Sequence, residues 1–403
     1  QHLLGDINVS SLVIFFTAFL ALYYWYTRPK NFPPGPRGVP FLGVIPFLGN
    51  YPERVMRKWS KKYGPVMSVR MGREDWVILN DYENIQKALV KQGHSFSGRP
   101  DIPVFTQINN GMGLLTVDYN DHWKMQRRFG ITTLRGFGVG KRSMEDRIVE
   151  EVAYLNDAIR SHNDKPFDIL GVLSNAVSNN ICSIVMGRRF DYDDERYKEI
   201  MFRLSRRLVN VYSNSIYIFT QATSIYATIM HERKGNRNKF SPRFYEYDIA
   251  DHLDEIVSEH KSTFNKDDAR DFIDAFIAEK NSQNKHSSFT DSQLLHYVVD
   301  LFEAGTETTT STLMWSILCM IHNPEKQEKL RKEICSVIGQ DRVPAMNDKA
   351  QMPYTCAFMQ EVFRYRTLVP LSLMHMTNED VVLNGYNIPK GTTVWKPLLN
   401  VSL

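Results

Sequence analysis

Between Thr290 and Asn323-Pro324 the sequence offers no residue that would stop a helix. Thr290 and Gln293 form a T-x-x-Q capping box at one end, and Pro324 closes the run at the other. At 1.5 Å per residue such a helix is about 45–50 Å long, enough to traverse a globular body. Its apolar residues, among them Leu294, Val298, Leu301, Phe302, Leu313 and Ile317, cover more than one face. A helix apolar nearly all round is buried. The chain must therefore build a large, mainly helical body around this element.

In the middle of the run stands Ala304-Gly305-Thr306-Glu307-Thr308-Thr309. A glycine there costs about 1 kcal/mol relative to alanine, and threonines in succession are poor helix formers. Glu307 also places an acid in an otherwise buried helix. Two readings are open from the segment alone. Small residues can admit a flat cofactor while an acid–alcohol pair handles protons, or threonine hydroxyls can bond back to carbonyls at a kink.

The rest of the chain is consistent with a folded helical body. Pro65 to Leu79 reads as two short strands around Gly72-Arg73, Asp81 caps a helix that Gly93 ends, and helical pattern fills about 120–338. A further helix runs from Pro353 to about Tyr365, and short strands return near Gly385 and Gly391. No internal repeat or low-complexity tract interrupts this order. With 43% hydrophobic and 23% charged residues the composition does not suggest disorder. The net charge of +4 is too small to argue for nucleic acid, and it leaves room for a modest basic surface that docks an acidic partner.

The first 50 residues are organised differently. Ile7 to Tyr26 is 20 residues without a charge, enough to cross a bilayer as a helix, and it ends in an aromatic belt, Tyr23 to Tyr26. Arg28, Lys30 and Arg37 follow, which places the body in the cytosol by the positive-inside rule. A cleaved signal peptide is the rival reading, disfavoured because no A-x-A-like site or basic n-region is present. Four prolines and two glycines between Phe32 and Pro40 then read as a stiff, extended hinge. The organisation expected is an anchor at 1–27, a hinge at 28–50 and a catalytic domain at 51–403.

Two further motifs matter. Trp123 and Arg127 share a helix face at i,i+4, so indole and guanidinium can grip one carboxylate together, although a solvated basic face would look the same. Glu361 and Arg364 form an i,i+3 ion pair, which alone reads as a surface salt bridge. The four cysteines (Cys182, Cys319, Cys335, Cys356) lie in apolar or helical stretches without a C-x-x-C pair, as buried free thiols would.

Taken together and in this order, W-x-x-x-R, A-G-x-E-T-T and E-x-x-R resemble helices C, I and K of the cytochrome P-450 superfamily. The proline hinge, Phe96-Ser97-Gly98-Arg99-Pro100, Asp271-Phe272-Ile273-Asp274, Met352-Pro353-Tyr354-Thr355 and Gly385 to Thr392 are similar to its microsomal family 2 group, and the resemblance runs from the anchor to about Thr393. It implies the cytochrome P-450 fold, mainly α with small β-sheets, incomplete at the C-terminus, behind an N-terminal transmembrane helix. It also implies haem b and insertion of one oxygen atom of O2 into an apolar small molecule of the xenobiotic, fatty acid or steroid class. The partners implied are NADPH-cytochrome reductase, cytochrome b5, membrane lipid and the substrate, with no nucleic acid. The location implied is the endoplasmic reticulum membrane, on a single-pass anchor with the body cytosolic.

Residue by residue, the resemblance implies that Arg99, Trp123, Arg127 and His375 hold the haem propionates. It implies that Ala304 and Gly305 lie against the cofactor, and that Thr308 with Glu307 delivers protons during oxygen activation. Glu361 and Arg364 would lock the core beneath the haem. Substrate walls would come from Ile102 to Leu115, Phe202 to Met230, Val298 to Ala304 and Leu368 to Leu373. Three departures stand against the pattern. Glu303 replaces a usual glycine, and Met374 precedes His375 where proline is common. The third is that F-x-x-G-x-x-x-C-x-G, the loop carrying the axial cysteine, does not occur in these 403 residues, nor does the P-E-R-F segment. The expectation is therefore a metal site without its cysteine and a chain inactive alone. A truncated splice form or a non-catalytic, membrane-anchored P-450-like binding protein is the alternative; an unrelated membrane-tethered helical module is a third reading, opposed by the ordered motifs.

Overall fold

The computed structural model describes residues 9–101, 111–140, 142–203, 243–282, 287–370 and 372–397. They form two compact units. The first gathers the described parts of Gln1–Pro103 and Val369–Leu403, the second those of Val104–Asn214 and Arg237–Leu368.

In the first unit, helix α1 (Val9–Tyr26) precedes α2 (Pro52–Tyr63), strands β1 (Val66–Met71) and β2 (Glu74–Leu79), and α3 (Tyr82–Gln86). The expected hairpin is present: β1 and β2 pair antiparallel from Val66–Leu79 to Met71–Glu74, and Gly72 supplies the positive φ their turn needs. Asp81 caps α3 by accepting from the Asn84 amide at 2.9 Å. The chain re-enters with β3 (His375–Met376), β4 (Val381–Leu383), β5 (Tyr386–Ile388) and β6 (Thr393–Trp395). β6 lies parallel to β2 and antiparallel to β3, giving a sheet of order β1-β2-β6-β3. β4 and β5 form a separate hairpin on Asn384-Gly385, both with positive φ, as a two-residue turn requires. Trp76 and Trp395, both buried, meet edge-on at 6.4 Å.

The N-terminal transmembrane helix is not confirmed. Among the described residues no helix is long and apolar enough to cross a membrane. Helix α1 has 18 residues, about 27 Å of rise against a hydrocarbon core of about 30 Å. Its apolar side chains, Phe15, Phe16 and Phe19 among them, are exposed. The proline-rich segment contacts β1. The Pro34 carbonyl accepts from the Ser68 amide at 2.8 Å and the Pro33 carbonyl from the Ser68 hydroxyl at 2.6 Å. A Cβ on Gly35 would lie 1.7 Å from the Ser68 carbonyl oxygen, so the segment is laid against β1.

The second unit is helical: α4 (Asp121–Gly136), α5 (Arg142–Arg160), α6 (Ile169–Val185), α7 (Arg243–Thr263), α8 (Phe272–Lys280), α9 (Asp291–His322), α10 (Pro324–Val337) and α11 (Pro353–Tyr365). α9 is the long run expected, 32 residues without a break. Its first half is the axis of the core, with Leu294, Val298 and Phe302 packed against Val185, Phe272 and Phe276. Phe129 of α4 meets Phe272, Phe276 and Phe289 edge-on at 5.2–5.7 Å. Burial is not uniform along α9: beyond Phe302 the buried positions are polar, and Leu318 and Ile321 are exposed.

Candidate functional site

The capping of α9 is half what its sequence suggests. The Thr290 hydroxyl oxygen accepts from the Gln293 amide at 3.1 Å, as a capping box requires. The Gln293 side chain does not return the bond. Its amide nitrogen donates to the Gly113 carbonyl and its oxygen accepts from the Gly113 amide, both at 3.1 Å. Two turns on, buried Asp300 accepts from the Leu114 and Leu115 amides at 2.6 and 3.0 Å. The 113–115 backbone is thus clamped to α9 by two side chains spaced i,i+7. The polar 293-300-307 repeat was the available signal for this clamp.

That segment also takes the Trp123 indole. Asn120 caps α4, and the Trp123 Nε1–H donates to the Leu114 carbonyl at 3.0 Å. The Arg127 guanidinium stands over the Trp123 ring, 5.2 Å from its centroid. The i,i+4 pair comes together through a cation–π contact, and the indole N–H donates to the chain.

Within the Ala304–Thr309 segment the helix has two distinct faces. Ala304 and Thr308 are exposed, whereas Glu303, Thr306 and Thr310 are buried on the other side. The Thr308 hydroxyl donates to the Ala304 carbonyl at 2.6 Å, and Thr312 and Ser316 repeat the bond one and two turns later at 2.8 Å each. Back-bonding therefore does occur, and it leaves the Thr308 oxygen turned outward as an acceptor. Glu307, half-buried, accepts from the Ser311 hydroxyl at 3.3 Å. A Cβ on Gly305 would lie 2.7 Å from Ile181 Cδ1, so this glycine leaves room for the Ile181 side chain of α6.

In the sheet unit, three basic residues come together. His375 faces Val394 across β3 and β6, and Lys396, two residues past Val394, is near enough to act electrostatically on His375. Gly98 bridges antiparallel to Met376, so Arg99 stands opposite His375. The Arg99 guanidinium donates to the Met374 carbonyl at 2.9 Å, and His375 Nδ1 lies 2.9 Å from the Phe96 carbonyl. Burial, then Arg99, then Lys396 push the His375 pKa down to about 4. Burial and Arg99 likewise hold the Lys396 ammonium below its usual range. Among the described residues, the groups acting most on His375 and Lys396 include no carboxylate. Such a cluster fits an anionic group, and it fits the carboxylates of a haem. Lys396 was not recognised in the sequence, because nothing local distinguishes it from a solvated lysine at a strand end.

Glu361 and Arg364 pair as a fork, Arg364 Nε and Nη2 donating to the two carboxylate oxygens at 2.7 and 2.6 Å. Expected as a buried lock, both side chains are more than half exposed, on a stretch of α11 where Phe363 and Tyr365 are exposed too. The four cysteines all lie on helices: Cys182 on α6, Cys319 on α9, Cys335 on α10 and Cys356 on α11. Burial pushes the Cys182 thiol far up, away from thiolate. Of the expected substrate walls, 102–110, 204–230 and 371 lie outside the described residues.

One grouping of metal-capable side chains occurs among the described residues, His260, Asp271 and Asp274, all buried. Each is already engaged. His260 Nε2 lies 2.8 Å from Asp271 and Nδ1 2.7 Å from the Ile256 carbonyl, while Asp274 takes the Arg270 fork at 2.5 and 2.9 Å. This is a structural knot between α7 and the N-cap of α8.

Comparison with known proteins agrees with the helix and sheet motifs. The family model described as Cytochrome P450 matches residues 33–402. Mouse (Mus musculus) cytochrome P450 2U1 is 36% identical over 408 aligned residues, covering 95% of this chain and 76% of that protein. Chicken (Gallus gallus) cytochrome P450 2H2 is 38% identical over 369, covering 91% and 74%. Rat (Rattus norvegicus) cytochrome P450 2C11 is 38% identical over 391, covering 95% and 76%.

Proposed function

The chain belongs to the cytochrome P450 family, whose members are haem b monooxygenases, and from that premise we propose that its residues hold haem and manage protons in the oxidation of apolar small molecules. Haem, when bound, supplies dioxygen activation; the protein supplies position, exclusion of water and protons. By the family resemblance Arg99, His375 and Arg127 would hold its carboxylates. Ala304 would present a small, open surface to the ring.

The observation that carries the reading is the Thr308 hydroxyl: exposed, one turn from exposed Ala304, with its proton on the Ala304 carbonyl and its oxygen outward. An outward acceptor can take a proton from water and pass on its own, with Glu307 and Ser311 next along the helix as resupply. Electrons would come from NADPH-cytochrome reductase, with cytochrome b5 as a second donor. The test is Thr308→Ala in a form of the protein carrying the axial-cysteine loop. Product per NADPH should fall and peroxide should rise; unchanged coupling over several apolar substrates would refute the role.

We also propose that α1 anchors the protein at the endoplasmic reticulum membrane with the body cytosolic. Its charge-free, exposed apolar surface and the basic residues that follow it support this. Protection of the body from added protease in sealed microsomes would exclude it.

A further inference from the structure

We propose that Lys396 is a carboxylate-holding residue that acts with Arg99 and His375, brought beside it by the β3–β6 pairing and the Gly98–Met376 bridge, to grip a haem propionate. The proposal rests on the haem reading above. Its geometry comes from pairing register alone. The Gly98–Met376 bridge sets Arg99 opposite His375, and the His375–Val394 pair sets Lys396 diagonally beyond it. Diagonal neighbours across paired strands are about 7–8 Å apart, within reach of a long side chain. One carboxylate placed among these side chains can meet all three groups.

The state of His375 shows why a third residue is needed. The Phe96 carbonyl can only accept, so the proton of neutral His375 sits on Nδ1 and Nε2 carries a lone pair. A lone pair repels a carboxylate. With Arg99 and Lys396 beside it, His375 is neutral at pH 7, its pKa lying at about 4. The first hold on an anion must therefore come from Arg99 and Lys396. Once the anion is seated, it offsets their repulsion and His375 can take up a second proton and donate from Nε2. Lys396 likewise recovers its full basicity. Three like groups packed together in a half-buried site disfavour their own charged forms, and an anion removes that penalty.

The 403-residue protein and its K396M and K396R forms can be titrated with two probes, hemin and hemin dimethyl ester, whose propionates are blocked. The Soret band reports binding. In parallel, NMR follows the His375 ring against pH with and without added propionate. We expect K396M to weaken hemin about tenfold or more, as for loss of one charge-assisted hydrogen bond, while ester binding is unchanged and K396R is close to wild type. The His375 pKa should rise from about 4 in K396M, and in wild type on adding propionate. Equal weakening of hemin and ester would make Lys396 merely structural and overturn the proposal. So would unchanged hemin binding, or a propionate response at His375 that is the same in K396M as in wild type. If no form binds hemin but propionate shifts His375 only with Lys396 present, the anion site stands and the haem reading falls.

Discussion

Replacing His260 by leucine isolates the knot that ties α7 to α8. Both ring nitrogens face acceptors, Asp271 at 2.8 Å and the Ile256 carbonyl at 2.7 Å, an arrangement that favours the imidazolium. Burial opposes that charge, and the bonds to Asp271 and Ile256 outweigh it, raising the pKa above its ordinary value. Asp271 is 1% exposed and also caps α8 through the Asp274 amide at 2.9 Å. Breaking a buried pair by removing one partner costs about 3–5 kcal/mol. Asp271 keeps its capping bond, so about 3 kcal/mol is the expected loss, or roughly a hundredfold in an opening equilibrium. Amide exchange at the first turn of α8, corrected for intrinsic rates, reads this directly. Because the folded pKa is raised, the stabilisation is complete below the unfolded value near 6.5 and is lost as pH rises through the folded value. Wild-type protection should therefore decline on going alkaline, while H260L stays flat. A change under threefold in H260L, or an equal pH response in both proteins, would refute an ionised His260.

Three other outcomes follow from packing and exposure. Gly305→Ala gains about 1 kcal/mol of helix propensity but meets Ile181, and overpacking costs about 1–3 kcal/mol, so the melting temperature should fall and G305A with I181V should recover it. Arg364→Ala in the 403-residue protein should leave the melting temperature unchanged within error, since the Glu361–Arg364 fork is exposed; a clear drop would restore the buried-lock reading. A reduced, CO-treated difference spectrum of the same protein should lack the red-shifted Soret band of thiolate-bound iron, because its four cysteines are held on helices. That band's appearance would assign one of them to the iron.

What the sequence determined was whatever depends on neighbours along the chain. The span of α9, the Asp81 and Thr290 caps, the β1–β2 hairpin on Gly72 and the Asn384-Gly385 turn follow from periodicity, side-chain caps and positive-φ residues acting within a few positions. The ordered W-x-x-x-R, A-G-x-E-T-T and E-x-x-R motifs identified the family for the same reason: each is a local pattern. Tertiary structure decided where the free side-chain groups went. Gln293 left its capping box for Gly113, and the Trp123 indole turned to Leu114. Gly305 answers to Ile181 on α6, and the Glu361–Arg364 pair stands open rather than buried. Arg99, His375 and Lys396 come from distant parts of the chain and meet only through strand register. A side chain bonds to whatever the fold brings within about 3 Å, and that partner is set by long-range packing that no local pattern encodes.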